Sequence, residues 1–306
     1  MSVKNGALGE HLALGHGVHA YTQPDGSWWI NNAGFVVGPD AVTLIDTAAT
    51  ERRTRPLLDT VARVAGPVPI RTIVNTHHHG DHSFGNSLVP EAVVLGHHNA
   101  RHDMVSFGDP PELTSWTRID WGEVRCRPPE LTFESGVTLW HADLTCEIRH
   151  VGRTAHTRGD VIVWIPDADV LFAGDLLFNG GTPFVLSGSI AGLRSALEDT
   201  VRRMAPRTIV PGHGPVCGLE VVEQTQAYLE LVSKAAADGY ARGESPLELA
   251  GRLRLGEFAD WLDAERIVTN LHRAYTEVPG SRFTVDEAQA FADMLAFHGG
   301  TLPTHA

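Results

Sequence analysis

A run of histidines around one aspartate constrains this 306-residue chain more than any other feature of its sequence. The stretch NTHHHGDHSFGN spans residues 75–86, and residues 77–82 alone hold four histidines and an aspartate. The β-branched segment at residues 71–75 leads directly into it, which predicts a loop at the end of a strand. So much imidazole in one loop predicts a metal site, and the fold must hold that loop rigidly.

Alternation along an extended chain divides the side chains of this loop into two sets. Because alternate residues point the same way, His77 and His79 can reach one ion. Gly80 allows the backbone to turn, so that Asp81 and His82 can reach another. A histidine tag explains the stretch poorly, since a tag would be neither internal nor interrupted by glycine and aspartate. Two metal ions are the natural interpretation.

Four donors cannot complete two sites that each need four or five ligands, so further ligands must come from elsewhere. Three residues qualify: His156 in GRTAHTRGD, Asp175 in LFAGDLLF and His213 in VPGHGP. Each is expected just past a β-branched strand, and glycine lies beside the last two, as is typical where backbone passes close to a metal cluster. Imidazole and carboxylate suit zinc, and also iron or manganese. Taken alone, His156 or His213 would be an ordinary hydrogen-bonded histidine.

Short β-branched runs alternate with helical stretches up to about residue 213, which predicts an α/β fold with sheet layered against helix. Strands are predicted over residues 28–37, 42–46, 71–75, 92–96, 137–140, 148–151, 161–165, 170–173 and 208–210. Helices are predicted over residues 51–65, 98–104 and 190–204. After residue 218 the apolar residues follow a helical period. We therefore expect a core at residues 1–218 and a C-terminal helical extension at residues 219–306.

Together the candidate ligands resemble those of the metallo-beta-lactamase superfamily, whose loop signature, His-x-His-x-Asp-His, is matched by residues 77–82. The resemblance implies an αββα sandwich that holds two divalent metal ions, with zinc as the expected metal. It implies that the first ion is held by His77, His79 and His156. The second ion would be held by Asp81, His82 and His213. Asp175 would bridge the two ions, and Asp46, at the end of the segment AVTLIDT, matches the aspartate that supports the loop.

Several residues in and around the predicted site could instead serve the fold alone. Asp46 could be the N-cap of the helix that begins near Thr50. By its alternation in the extended chain, His78 should face away from the metals. Cys217 lies close to His213 in the chain but is expected to be a small buried residue rather than a nucleophile. No role is predicted for the remaining histidines, such as His16, His19, His97, His98 and His141.

Two paired metal ions activate water and polarise a carbonyl, so the expected reaction is hydrolysis, with Asp81 or Asp175 passing a proton to the leaving group. A formal net charge of -13 disfavours nucleic acid as a substrate. No secretory signal or membrane-spanning segment is recognisable, so we expect a cytoplasmic enzyme. Three widely spaced cysteines fit reduced thiols.

Beyond the ligands, the chain resembles the metallo-beta-lactamase-like cyclases and thioesterases of bacterial aromatic polyketide pathways. The similar stretches are NNAGFVVGPDAVTLIDTAATERRTR, GTPFVLSGSIAG and LDAERIVTNLHRAY. This resemblance implies aldol ring closure, thioester hydrolysis, or both, on a polyketide carried by an acyl carrier protein in antibiotic biosynthesis. One alternative is a glyoxalase II-like or lactone hydrolase of a small metabolite. The other is a carrier-protein-binding scaffold without chemistry.

A polyketide site would have an apolar, aromatic lining. The candidates are Trp28, Trp29, Trp116, Trp121, Phe178 and Phe184. If Trp28 and Trp29 are neighbours in a strand, only one of them can face the pocket. The irregular, proline-containing stretch at residues 106–135 could wall the pocket or pack onto its own domain.

A basic cluster at the start of the first predicted helix could dock an acidic carrier protein. It comprises Arg52, Arg53 and Arg55. Such a cluster is more often a solvated helix face, which is the competing interpretation.

Overall fold

Two β-sheets packed face to face form the centre of the fold in this computed structural model, which describes residues 8–306. The seven strands of the first sheet lie side by side in chain order. They are β1 (Glu10–Gly15), β2 (Val18–Thr22), β3 (Ala33–Val37), β4 (Val42–Ile45), β5 (Ile70–Val74), β6 (Val93–His97) and β7 (Leu131–Phe133). The strands β1 to β4 pair antiparallel, whereas β4 to β7 pair parallel.

The second sheet has five strands in the order β12-β11-β10-β9-β8. They are β8 (Gly136–His141), β9 (Leu144–His150), β10 (Val161–Ile165), β11 (Val170–Phe178) and β12 (Thr208–His213). Only β11 and β12 pair parallel in this sheet. Neighbouring parallel strands end at the same edge of their sheet. The residues that follow β4 and β5 therefore lie at one edge of the first sheet, and those at the end of β12 lie at an edge of the second.

Eight α-helices complete the described part of the chain. They are α1 (Glu51–Ala65), α2 (Gly80–Ser83), α3 (His98–Phe107), α4 (Ile190–Ala196), α5 (Glu220–Arg242), α6 (Pro246–Arg252), α7 (Arg266–Thr276) and α8 (Glu287–His298). A π-helical turn, Leu197–Arg202, continues α4. Among these helices, none is long and apolar enough to cross a membrane.

Three apolar cores hold the layers together. Between the sheets, Ile45 and Val74 of the first sheet pack with Val163 and Phe172 of the second. On the outer side of the first sheet, α1 buries Leu57 and Val61 against that sheet. The outer side of the second sheet is covered by α4 and by the C-terminal helices, whose side chains share one core with it. This is the predicted αββα sandwich, and its C-terminal helices are part of the outer layer.

The predicted elements agree with the structure at the long, periodic segments and fail at short or edge strands. The first helix has the predicted bounds, 51–65. The strand predicted from residue 28 begins only at Ala33, because Ile30 donates to the Ser27 carbonyl in a turn and Trp29 has a positive φ. The strand predicted to end at residue 173 continues to Phe178, so Asp175 lies within it rather than beyond it. The strands β1, β2 and β7 were not predicted.

Replacing Phe172 with alanine should lower the free energy of unfolding by about 3–5 kcal/mol, because its buried ring fills the space between the sheets and lies against the backbone of Gly34. The measurement is chemical denaturation of the purified variant. Trp140→Ala is the control, since this aromatic side chain is 69% exposed and should cost far less. Equal losses in the two variants would contradict the packing described.

Candidate metal centre

Side-chain amides hold the histidine loop between β5 and α2 in place. Asn75 donates from Nδ2 to the carbonyl of His82, 3.1 Å away. Asn86 donates from Nδ2 to Oδ1 of Asn75 at 2.8 Å, and the backbone N–H of Thr47 donates to the same His82 carbonyl at 2.9 Å. Because buried backbone carbonyls are costly to leave unpaired, these bonds fix the path of the loop.

The structure brings all seven candidate ligands together in two adjacent groups, each with its donor atoms within 4.8 Å of one another. The first group comprises His77, His79, His156 and Asp175, and the second comprises Asp81, His82 and His213. Asp175 reaches both groups: its Oδ2 lies 3.4 Å from Nε2 of His156 and 3.4 Å from Nε2 of His213. Asp175 therefore lies between the two groups and within reach of both.

The donor atoms converge closely, and two of them lack a hydrogen-bond partner. Nδ1 of His79 lies 3.0 Å from Nε2 of His77 and 2.9 Å from Nε2 of His156. Nitrogens bound to one tetrahedral zinc would be about 3.3 Å apart. Nε2 of His82 and Oδ1 of Asp175 are 3.0 Å apart but poorly aligned, so both buried atoms lack a hydrogen-bond partner. The residues present therefore fit a pair of metal ions.

Hydrogen bonds at Nδ1 of two histidine rings orient the other ring nitrogen, Nε2, toward this cluster. Nδ1 of His156 donates to the Phe184 carbonyl at 2.6 Å, and Nδ1 of His213 donates to the Gly26 carbonyl at 3.1 Å. In the neutral form of both rings the proton is then on Nδ1, so the lone pair is on Nε2 and faces the cluster. The protein thus selects the tautomer that can bind a metal.

Asp46 supports the histidine loop through hydrogen bonds and does not cap a helix. Its Oδ2 accepts from Nδ1 of His82 at 2.8 Å and from Oγ1 of Thr76 at 2.7 Å, while Oδ1 accepts from the Thr76 N–H at 2.7 Å. Oγ1 of Thr76 lies 3.1 Å from Nδ1 of His77 and can accept its proton. The N-cap of α1 is Thr50, which accepts from the N–H of Arg53. The alternative interpretation of Asp46 as that cap was wrong.

Burial gives the first group neutral imidazoles. Burial, reinforced by neighbouring His82, holds the pKa of His77 well below its usual value. Burial and then His78 do the same to the pKa of His79. The pKa of His156 is lowered by burial as well. Neutral imidazole is the form that binds a metal, so these side chains are ready to do so at neutral pH.

In the second group, interactions between carboxylates and imidazoles determine the pKa values. Burial opposes the charge on His213, but Asp175 outweighs it and raises the pKa of His213 to about 9. Burial likewise opposes ionisation of Asp175, but His213 and His82 hold the pKa of that carboxyl well below its usual range. Asp81 is also held ionised, with its pKa lowered by His82 against the effect of burial. His82 and His213 thus stabilise the ionised carboxylates, which are the form that binds a metal.

A cavity of about 890 Å³ opens onto both groups, with His79, Asp81, Asp175 and His213 in its wall. Five of the six predicted aromatic residues line it: Trp28, Trp29, Trp116, Phe178 and Phe184. Trp121 is not among its lining residues, because its indole N–H donates to the Pro111 carbonyl and its ring packs on Trp29 and Phe84. The prediction for Trp121 was therefore wrong.

Both Trp28 and Trp29 reach the cavity, which an extended strand would not allow. They lie in a turn, and Trp28 contacts Trp116 edge to face with ring centroids 5.2 Å apart. Trp29 contacts Trp116 in the same manner at 5.5 Å. His78 lines the cavity but belongs to neither ligand group.

Sequence reasoning missed most other residues of the cavity wall, among them Arg266 and Phe291. The guanidinium of Arg266 lies 4.0 Å from the Trp28 ring centroid and pairs with Asp263 at 2.7 Å. Phe291 of α8 contacts Trp116 with ring centroids 5.6 Å apart. The sequence signal for Arg266 was its place in the segment LDAERIVTNLHRAY, and Phe291 had no signal beyond a helical period, which also describes ordinary core residues.

One of the three arginines predicted as a docking cluster is buried. Arg53 is buried and donates to Oε1 of Gln23 at 3.1 Å and to the His305 carbonyl at 2.6 Å. Arg55 pairs with Glu51 at 2.8 Å. Arg53 is therefore a structural residue that no partner can reach, and its place in the predicted cluster was wrong, whereas Arg52 and Arg55 are exposed.

Cys217 is only half-buried, and its backbone pairs with Ile209. Burial raises the pKa of its thiol to about 12, so it stays protonated at neutral pH. A protonated thiol is a weak nucleophile, which fits the expectation that it has no role in catalysis.

Known proteins with similar sequences include two kinds of thioester hydrolase. The chain is 31% identical over 156 residues to a hydroxyacylglutathione hydrolase from Synechococcus sp. (strain JA-3-3Ab), covering 47% of this chain and 52% of the relative. It is 24% identical over 230 residues to the acyl-coenzyme A thioesterase MBLAC2 of Bos taurus, covering 64% of this chain and 81% of the relative. The chain thus spans about half the length of the first of these relatives.

Structural similarity and a family match agree. The solved structure of a metallo-beta-lactamase from Pontibacter korlensis has a TM-score of 0.59 and 19% identity, covering 72% of this chain and 99% of that protein, so the two share a fold. Residues 26–213 match the metallo-beta-lactamase superfamily, a span that is more than half of the chain and contains all seven candidate ligands. The chain therefore belongs to the metallo-beta-lactamase superfamily and has its fold.

Proposed function

We propose that this enzyme binds two zinc ions and hydrolyses a thioester whose acyl group is bulky and apolar. The observation that carries the proposal is the cavity of about 890 Å³, which joins an aromatic wall to both ligand groups. A ligand pocket that is mainly apolar, with a few convergent polar groups, is the usual form of a small-molecule site. The similarity to two kinds of thioester hydrolase supports the same bond type.

Each ligand group would hold one ion. His77, His79 and His156 would hold the first, and Asp81, His82 and His213 the second, with Asp175 shared between them. When bound, two such ions supply Lewis acidity and lower the pKa of a coordinated water toward neutrality. Zinc is proposed because neutral imidazole and carboxylate are its preferred nitrogen and oxygen donors.

The chain's own residues would orient the substrate and manage protons. Trp28, Trp116 and Phe184 form an apolar wall that excludes water and orients the acyl group. Asp81 and Asp175 both line the cavity and are ionised, so either can accept a proton and pass it to the departing thiolate. Both roles depend on side chains that are already held in place by buried contacts.

The substrate proposed in particular is an aromatic polyketide joined to its carrier as a thioester, with aldol ring closure, hydrolysis or both at this site. The edge-to-face tryptophans and phenylalanines of the wall are suited to flat rings. The resemblance of three segments to polyketide cyclases and thioesterases supports the same class. An acyl carrier protein would deliver such a substrate, but Arg53 takes no part in its docking, since it is buried.

A second candidate is hydrolysis of a small soluble thioester or lactone, as in glyoxalase II. The similarity to hydroxyacylglutathione hydrolases favours it. The extent of the aromatic wall favours the larger substrate, because a small polar acyl group would leave most of that wall without contact. The scaffold alternative is set aside, since the chain is an enzyme of this fold.

Asp175→Ala should abolish binding of the zinc pair and lower thioester hydrolysis about a thousandfold or more, because it removes the carboxylate shared by both groups. Zinc content by mass spectrometry and hydrolysis of an acyl N-acetylcysteamine thioester are the measurements. Asp260→Ala, a change at an exposed aspartate, is the matched control and should retain both. Turnover retained by Asp175→Ala would refute the two-metal site.

Asp46→Asn should weaken zinc binding about 10- to 100-fold, because an amide is a poorer acceptor for the proton on Nδ1 of His82. Competition with a chromophoric chelator measures the affinity. Asp40→Asn, at an exposed position, should bind zinc as the unchanged protein does. Identical affinity in the two variants would show that Asp46 does not support the ligands.

Incubating the zinc-loaded enzyme with a reconstituted aromatic polyketide synthase should yield a cyclised or released product that disappears when a chelator is added. Mass spectrometry of the products makes the measurement. An unchanged product profile, together with hydrolysis of simple soluble thioesters, would move the assignment to the small-metabolite hydrolase.

A further inference from the structure

The C-terminal helix α8 forms part of the cavity wall, which no sequence motif indicates. Five of its residues line the cavity: Glu287, Ala288, Phe291, Ala292 and Leu295. Across from them, the lining residues come from the end of α3 and from the loop that follows it, including Phe107 and Trp116. A substrate in the cavity would therefore lie between α8 and this loop.

The wall is continuous from the metal ligands to α8. Phe184 lies 6.2 Å from the ring of His79 and 6.3 Å from the ring of Phe291, measured between centroids. Phe291 also contacts Trp116 edge to face. A flat acyl group that lies along these rings would extend from the reacting centre toward α8.

Two small residues, both exposed, lie at the end of this path. Ala288 and Ala292 are four residues apart, so they lie one turn apart on the same side of α8, and both line the cavity. The opposite side of α8 is fixed: Ala290 and Met294 are fully buried, and Asp293 accepts from Nε2 of His272 at 2.8 Å. The helix cannot move outward without breaking these contacts.

We infer that α8 sets the upper size of the acyl group, with Ala292 as the residue that determines specificity. The inference rests on the proposed function, because it concerns the acyl portion of the same substrate. A methyl group at position 292 leaves space for a fused aromatic ring against Phe291, whereas a larger side chain would occupy that space. The small residues on α8 thus favour polycyclic acyl groups over short ones.

Ala292→Phe tests the inference with two N-acetylcysteamine thioesters, one acetyl and one 2-naphthoyl. The ratio of kcat/KM for naphthoyl to that for acetyl should fall about tenfold or more, since even single methylenes in an apolar pocket change specificity by about this factor. Ala292→Leu should give an intermediate decrease. Ala296→Phe is the matched control, because it makes the same change at an exposed α8 residue outside the cavity lining, and its ratio should be that of the unchanged enzyme.

A binding measurement separates this inference from the proposed reaction. A nonhydrolysable 2-naphthyl thioether should quench tryptophan fluorescence, because Trp28, Trp29 and Trp116 line the cavity. Its Kd should rise about tenfold in Ala292→Phe and stay constant in Ala296→Phe. If the Kd of the naphthyl compound depends on position 292 but no thioester is hydrolysed, the proposed reaction is refuted, while the inference that Ala292 limits the size of the acyl group stands. Equal ratios and equal Kd values in the two variants would overturn the inference.

Discussion

The buried carboxylate of Asp46 is the interaction that joins the fold to the site. It follows β4, and its three hydrogen bonds reach Thr76 and His82 in the loop after the neighbouring parallel strand β5. Through Thr76 it also acts on His77, so one carboxylate orients an imidazole in each ligand group. This arrangement is possible because parallel strands end at the same edge of a sheet. The second sheet then supplies Asp175 and His213 from its own pair of parallel strands, β11 and β12.

The cost of burying these groups explains why the ligand set and the metals depend on each other. Six of the seven candidate ligands are no more than 9% exposed, and two of them are partnerless at Nε2 of His82 and Oδ1 of Asp175. A protein that buried them for stability alone would be better served by apolar residues of the same size. Under the proposed function, two cations would compensate the buried carboxylates and occupy the free lone pairs, so function and stability would rest on the same contacts. The aromatic wall adds an apolar surface directly beside this charged centre, which would place the carbonyl carbon and the acyl chain of the proposed substrate in different surroundings.

The sequence predicted an α/β fold, the bounds of α1 and the candidate ligands, because each depends on local periodicity or on residue types with few other uses, and the resemblance to the superfamily implied the αββα sandwich. It failed where tertiary contacts decide. Trp28 and Trp29 have the composition of a strand but form a turn that sends both rings to the cavity. Trp121 was predicted to line the pocket, yet it donates a hydrogen bond to the Pro111 carbonyl. Arg53 was predicted to belong to a docking surface, yet it is buried and donates to the His305 carbonyl. Phe291 could not be found at all, since the packing of α8 on α7 brings it to the site from a distant part of the chain.

The central claim is that two metal ions share one carboxylate beside an aromatic cavity. Anomalous X-ray diffraction from crystals of the zinc-loaded protein tests it most directly. The account predicts two zinc peaks, one among His77, His79 and His156 and the other among Asp81, His82 and His213, with Asp175 in contact with both. A single peak, or zinc held by other residues, would contradict it.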